Sequence, residues 1–129
     1  MNRRGSALLE GALATLATLF FVIGIIDFSL ANFAYSQLQY VAGEGARYAS
    51  LRGATSSSPA TTNSLSTYVK GLLIGINGSL ATVTTTWTPN NSPGGTVTVR
   101  VDYTYAPLLV PTLGSGMNLR GTSSTTVLQ

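Results

Sequence analysis

The hydrophobic pattern changes twice along the chain, from a continuous run to a helical stripe and then to a period of two. From Gly11 to Ile26 the run GALATLATLFFVIGII carries no charge, and between Ser6 and Ile26 the single charge is Glu10. Those twenty-one residues, at 1.5 Å each, make about 31 Å of helix, close to the ~30 Å hydrocarbon thickness of a bilayer. Beyond Asp27, a stripe of Phe28, Ala31, Tyr35, Leu38, Ala42, Gly45 and Ala49 recurs every three or four residues, and no proline occurs before Pro59. One helix from about Ser6 to about Leu51, roughly 69 Å long, satisfies both patterns. Its outer half needs a cover.

The rest of the chain supplies one. GATSSSPATTN, residues 53 to 63, is a loop by composition and offers Ser58 and Pro59 as helix cap and first helical residue. A second helix then presents Leu65, Tyr68, Val69, Leu72, Leu73 and Ile76 on one face and closes at Asn77-Gly78. After Gly78 the period becomes two. Ala81, Val83, Thr85 and Trp87 share one face of a first strand, and Val97, Val99, Val101, Tyr103 and Tyr105 one face of a second. The intervening PNNSPGG is rich in turn formers and predicts an antiparallel hairpin. A third strand, from about Met117 to Leu128, follows the apolar loop APLLVPTLGSG.

One face of this sheet is apolar and the other threonine-rich, so a layer of helix covers one side only. The predicted fold is α+β, a long amino-terminal helix whose first half spans a membrane, carrying a small head of one helix and a three-stranded antiparallel sheet. Residues 6–26 form the span, 27–52 the outer half of the same helix and 53–129 the head. Ala42, Gly45, Ala46 and Ala49 put small residues at close spacing on the outer half. Such residues serve helix packing, in lipid or a bundle, or face a core.

Composition sharpens this picture mainly by exclusion. Of the 129 residues 44% are hydrophobic and only 9% charged, a balance suited to a membrane-attached exported protein. The net charge is +3, but Arg47, Arg52, Lys70, Arg100 and Arg120 are scattered singly. A phosphate-tracking surface needs clustered cations, so no nucleic acid is expected as partner. The pair Arg3 and Arg4 instead orients the span, because cations beside a short amino-terminal flank stay cytoplasmic.

With no cysteine and no histidine, the chain lacks a thiolate nucleophile, a zinc-thiolate site and the commonest acid-base residue near neutral pH. The carboxylates are Glu10, Asp27, Glu44 and Asp102, and their spacing proposes no acid-base pair. Arg100 and Asp102 lie two apart on one strand face, placed to pair with each other or across the sheet. Gly43-Glu44-Gly45 and Gly114-Ser115-Gly116 lack the context of a phosphate loop. No catalytic residue, metal or cofactor is expected, and the chain reads as a non-enzyme.

The stretch from Arg3 to Gly53 resembles the TadE-like pseudopilins and minor pilins of the Flp/Tad type IV pilus systems. The matching elements are Arg4-Gly5, Glu10, the apolar span, Gly24-Ile25-Ile26-Asp27-Phe28, Tyr35, and Ala42 with Gly45-Ala46-Arg47-Tyr48. The resemblance implies a pilin-like structural subunit. Residues 1–5 would be a leader cut by a prepilin peptidase between Gly5 and Ser6, making Glu10 the fifth mature residue. Ser6 and Glu10 then stand one helical turn apart, so the new amine and the carboxylate can pair. The implied partners are copies of the chain or other pilins, the prepilin peptidase, the pilus assembly platform and the inner membrane. The implied location is the bacterial inner membrane with the head outside the cytoplasm, then the pilus or cell surface.

Two other readings fit the pattern. One is a single-span membrane protein with an outward binding head, which would keep Met1. The other is a secreted β-rich adhesion domain released after Ala31, which would begin at Asn32.

Overall fold

A computed structural model describes residues 3–108 and 116–129 of the chain. Helix α1 runs unbroken from Arg3 to Ser50, about 72 Å at the standard rise. Its hydroxyl side chains do not interrupt it. Thr15, Thr18, Ser29 and Ser36 each donate to the carbonyl four residues earlier, at 2.8–3.0 Å. Bonded in this way, the hydroxyls of Thr15 and Thr18 are compatible with a lipid surrounding.

The head is built on the outer half of α1. Strands β1 (Ala81–Thr88), β2 (Thr96–Tyr105) and β3 (Met117–Thr126) form an antiparallel sheet in the order β1-β2-β3. Val97, Val99 and Val101 of the central strand are fully buried. They pack with Leu38, Val41, Ala42, Ala46 and Ala49 of α1 and with Leu65 and Val69 of helix α2 (Thr62–Leu72). The α+β architecture and all three strands agree with the alternation in the sequence. Both helices cover the apolar face: α1 lies over β3 and β2, and α2 lies over β1.

Side-chain size decides that division. Across from Val97, Val99 and Val101, β3 presents Thr125, Ser123 and Gly121. These small residues let the α1 backbone settle close to β3, and an added Cβ at Gly121 would fall 2.2 Å from the carbonyl oxygen of Leu38. Gln39 of α1 fits against the same strand: its Nε2 donates to the Arg120 carbonyl and its Oε1 accepts from the Thr122 N–H, both at 3.4 Å. A side-chain amide thus occupies part of a sheet edge. The carboxy-terminal end is tied to α1 as well, since Leu128 N–H donates to the Ser50 carbonyl at 2.9 Å and Ser50 Oγ to that of Thr126 at 2.8 Å.

Three local expectations need correction. Helix α2 starts later than Ser58-Pro59, because Thr61 and Ser64 form a reciprocal capping box. Ala60 meanwhile donates its N–H to the Arg52 carbonyl and keeps that stretch outside the helix. The helix also stops at Leu72 rather than Asn77-Gly78: Leu73 is extended and Gly75 takes a positive φ of 72°. Asn77 instead caps a single 3-10 turn, Gly78–Leu80. Finally, Phe28 and Tyr35 leave the buried stripe, at 75% and 45% exposed, while Ala34 and Val41 join it. The buried face begins at Ala31, and Phe28 stays exposed on a side of α1 that the head does not cover.

Candidate functional site

The exposed part of α1 is the candidate site, and its character follows from its side chains. Between Gly5 and Leu30 nearly every residue is exposed, including Leu8, Leu13, Phe21 and Ile25. Among the described residues this is the one helix long and apolar enough to cross a membrane. Around Gly24, where no side chain fills the surface, Phe20, Phe21, Ile25 and Phe28 frame an open notch of about 410 Å³. An uncovered apolar helix surface of this size needs lipid or other helices around it.

From Gly5 to Ile26 the single charge on that surface is Glu10. It is exposed, and among the described residues it has no partner in its own chain. Gly5 and Ser6 lie on the same helix, with Ser6 one turn before Glu10. The side chains of Arg3 and Arg4 lie outside the described residues, as do Gly114 and Ser115 of the β2–β3 loop.

The small residues behave differently. Ala42, Gly45, Ala46 and Ala49 are buried against the chain's own head. A Cβ on Gly45 would fall 2.6 Å from Val69 Cγ2 and 3.3 Å from Val99 Cγ1. The stripe therefore seats the head on α1. It lies about 48 Å along the helix from Glu10, so the two sets of residues are not brought together.

At the boundary between the bare and covered parts of α1 stands Asp27. Its Oδ1 accepts from the Leu108 N–H at 2.7 Å and from the Tyr105 hydroxyl at 3.2 Å. This carboxylate ties the lower end of the head to the helix where the apolar surface begins. Burial, and then the bond to Asp27, raise the Tyr105 pKa above its ordinary 10.0. Asp27 reads in the sequence as the end of an apolar run and as one position of the TadE-like resemblance. Its partners lie 78 and 81 residues away, and no local pattern announces them.

On the far side of the sheet Asp102 pairs with Arg100 at 3.1 Å and with Arg120 at 2.6 Å, joining both routes open in the sequence. The described residues contain no group of His, Cys, Asp or Glu that could hold a metal ion.

Comparison with known families finds one match, and it falls on α1. Residues 5–47 match the family model described as TadE-like protein. The match begins at Gly5, passes through Glu10 and Asp27 and ends inside α1, covering one third of the chain. The TadE-like segment lies on a long helix that carries an α+β head, a pilin-like arrangement. No curated protein and no solved structure matches the chain.

Proposed function

We propose that the chain is a pilin-like structural subunit of a Tad-type pilus, a minor pilin or pseudopilin able to enter a filament. A prepilin peptidase cuts it between Gly5 and Ser6, and it assembles through the exposed part of α1. The observation that carries this reading is Glu10, a lone carboxylate on a bare apolar helix, five residues after Gly5 and within the TadE-like match.

Before the cut, Arg3 and Arg4 hold the helix at the cytoplasmic face, since placing either in hydrocarbon costs about 3 kcal/mol or more. Removing them lowers the side-chain charge from +3 to +1, five basic groups against four acidic. The cut adds an amine at Ser6. That amine and Glu10 form a compensated pair, in one subunit or between neighbours, and a compensated pair enters an apolar bundle more readily than a single charge. The head, seated on residues 31–50, travels outward with the helix.

Co-expression with a prepilin peptidase and the assembly platform tests the sequence of events. Gly5→Leu should stop processing, whereas Glu10→Ala should be processed and fail to assemble. Wild-type assembly of the Glu10→Ala subunit would refute the pairing.

A further inference from the structure

The sheet face turned away from both helices is polar throughout, and its centre holds an unequal set of charges. Strand register places Thr84, Arg100 and Thr122 in one row and Thr82, Asp102 and Arg120 in the next. Arg120 Nε donates to Asp102 Oδ1 at 2.6 Å, and Arg100 Nε lies 3.1 Å from Asp102 Oδ2. Two guanidiniums thus share one carboxylate, leaving a net charge of +1 on the cluster. Among the described residues neither arginine has a second acidic partner, and the Nη groups of both donate no hydrogen bond.

Beside them lies an open cleft of about 380 Å³, lined by Thr84, Thr86, Thr98, Arg100, Arg120 and Thr122. Thr98 bonds to Ser124 at 2.8 Å, whereas the hydroxyls of Thr84, Thr86 and Thr122 have no partner among the described residues.

We infer that this cleft binds a carboxylate-bearing sugar, a uronate unit of an acidic polysaccharide. Its carboxylate bridges the free Nη groups of Arg100 and Arg120, the planar geometry that guanidinium favours. Its ring hydroxyls meet the free threonine hydroxyls, which both donate and accept. The position of the cleft disfavours an acidic peptide: it crosses the middle of the sheet rather than an open edge, where an extended peptide would add as a strand. The inference depends on the proposed function only in expecting the head to face outward.

The test uses the purified full chain in non-ionic detergent, titrated calorimetrically with polygalacturonate oligosaccharides, their methyl esters and polyglutamate. The polygalacturonate should bind, and Arg100→Gln or Arg120→Gln should each weaken it about ten-fold, the loss of one charge-assisted bond. The methyl ester should weaken it to a similar degree, and Thr84→Val less. Both arginine side chains are well exposed, at 45% and 60%, so an unchanged near-ultraviolet dichroism of Trp87 should accompany the loss. Affinity insensitive to either arginine, equal binding of the methyl ester, or equal or tighter binding of polyglutamate would overturn the inference. None of these outcomes bears on cleavage at Gly5 or on assembly.

Discussion

Replacing Gly121 by alanine adds one methyl group at the closest approach of β3 to α1. The new Cβ would stand 2.2 Å from the Leu38 carbonyl oxygen, 2.3 Å from its carbon and 2.7 Å from the Gln39 nitrogen. Ordinary contact requires roughly 1 Å more. The opposing atoms are helix backbone, fixed by their own hydrogen bonds, so α1 must move away as a body and loosen Leu38 and Val41 from Val99 and Val101. Overpacking of this sort costs about 1–3 kcal/mol, and the stiffer unfolded chain returns about 0.4–1. The expected net loss is about 1–2 kcal/mol. For a domain of this size that lowers Tm by up to roughly 10 °C.

The assay is thermal melting of the full chain in detergent, followed by the near-ultraviolet dichroism of Trp87. Gly43→Ala is the matched control, since a Cβ there meets nothing within 4 Å and gains about 1 kcal/mol of helix propensity. One substitution should lower Tm and the other raise it. If Gly121→Ala melts at or above the wild-type temperature, the close seating of α1 on β3 is wrong.

Leu38→Ala empties a fully buried site and should cost about 2–5 kcal/mol in the same melt, and a loss under 1 kcal/mol would place Leu38 outside the core. Asp27→Ala removes the acceptor of the Leu108 N–H and the Tyr105 hydroxyl, so hydrogen exchange should speed up at Leu108 while Val99 and Val101 keep their protection. Equal protection of Leu108 in both proteins would contradict the tie. The raised Tyr105 pKa means that the folded head holds the phenol proton more tightly than the unfolded chain. Its contribution is complete below the ordinary value of 10.0 and is lost as pH rises through the folded value, so Tyr105→Phe should flatten the alkaline decline in Tm.

The legible parts of this fold are those with a local cause. An uncharged run without proline gives α1, and the Val97, Val99, Val101 alternation gives the central strand and the face it buries. Boundaries were less legible because two local solutions competed. Ser58-Pro59 has the composition of a helix start, but Thr61 and Ser64 cap each other while Ala60 bonds elsewhere. Gly121 and Asp27 were not legible in their structural roles. Gly121 reads as a gap in a strand until a helix backbone lies on it, and Asp27 as the end of a span until the distant Tyr105 and Leu108 reach it. The small residues Ala42, Gly45, Ala46 and Ala49 stood out in the sequence, but only the docked head shows which surface they meet. At the amino terminus, Gly5, Ser6 and Glu10 are legible as a motif, and their meaning rests on an event that alters the chain itself.

That event is open to direct measurement. Intact mass and amino-terminal sequencing of the protein purified from cells with an active prepilin peptidase should give a chain that begins at Ser6 and lacks Met1 to Gly5, and a peptidase-deficient strain should give the uncut form. A chain that keeps Met1 in both strains, or one that begins at Asn32, would contradict the account.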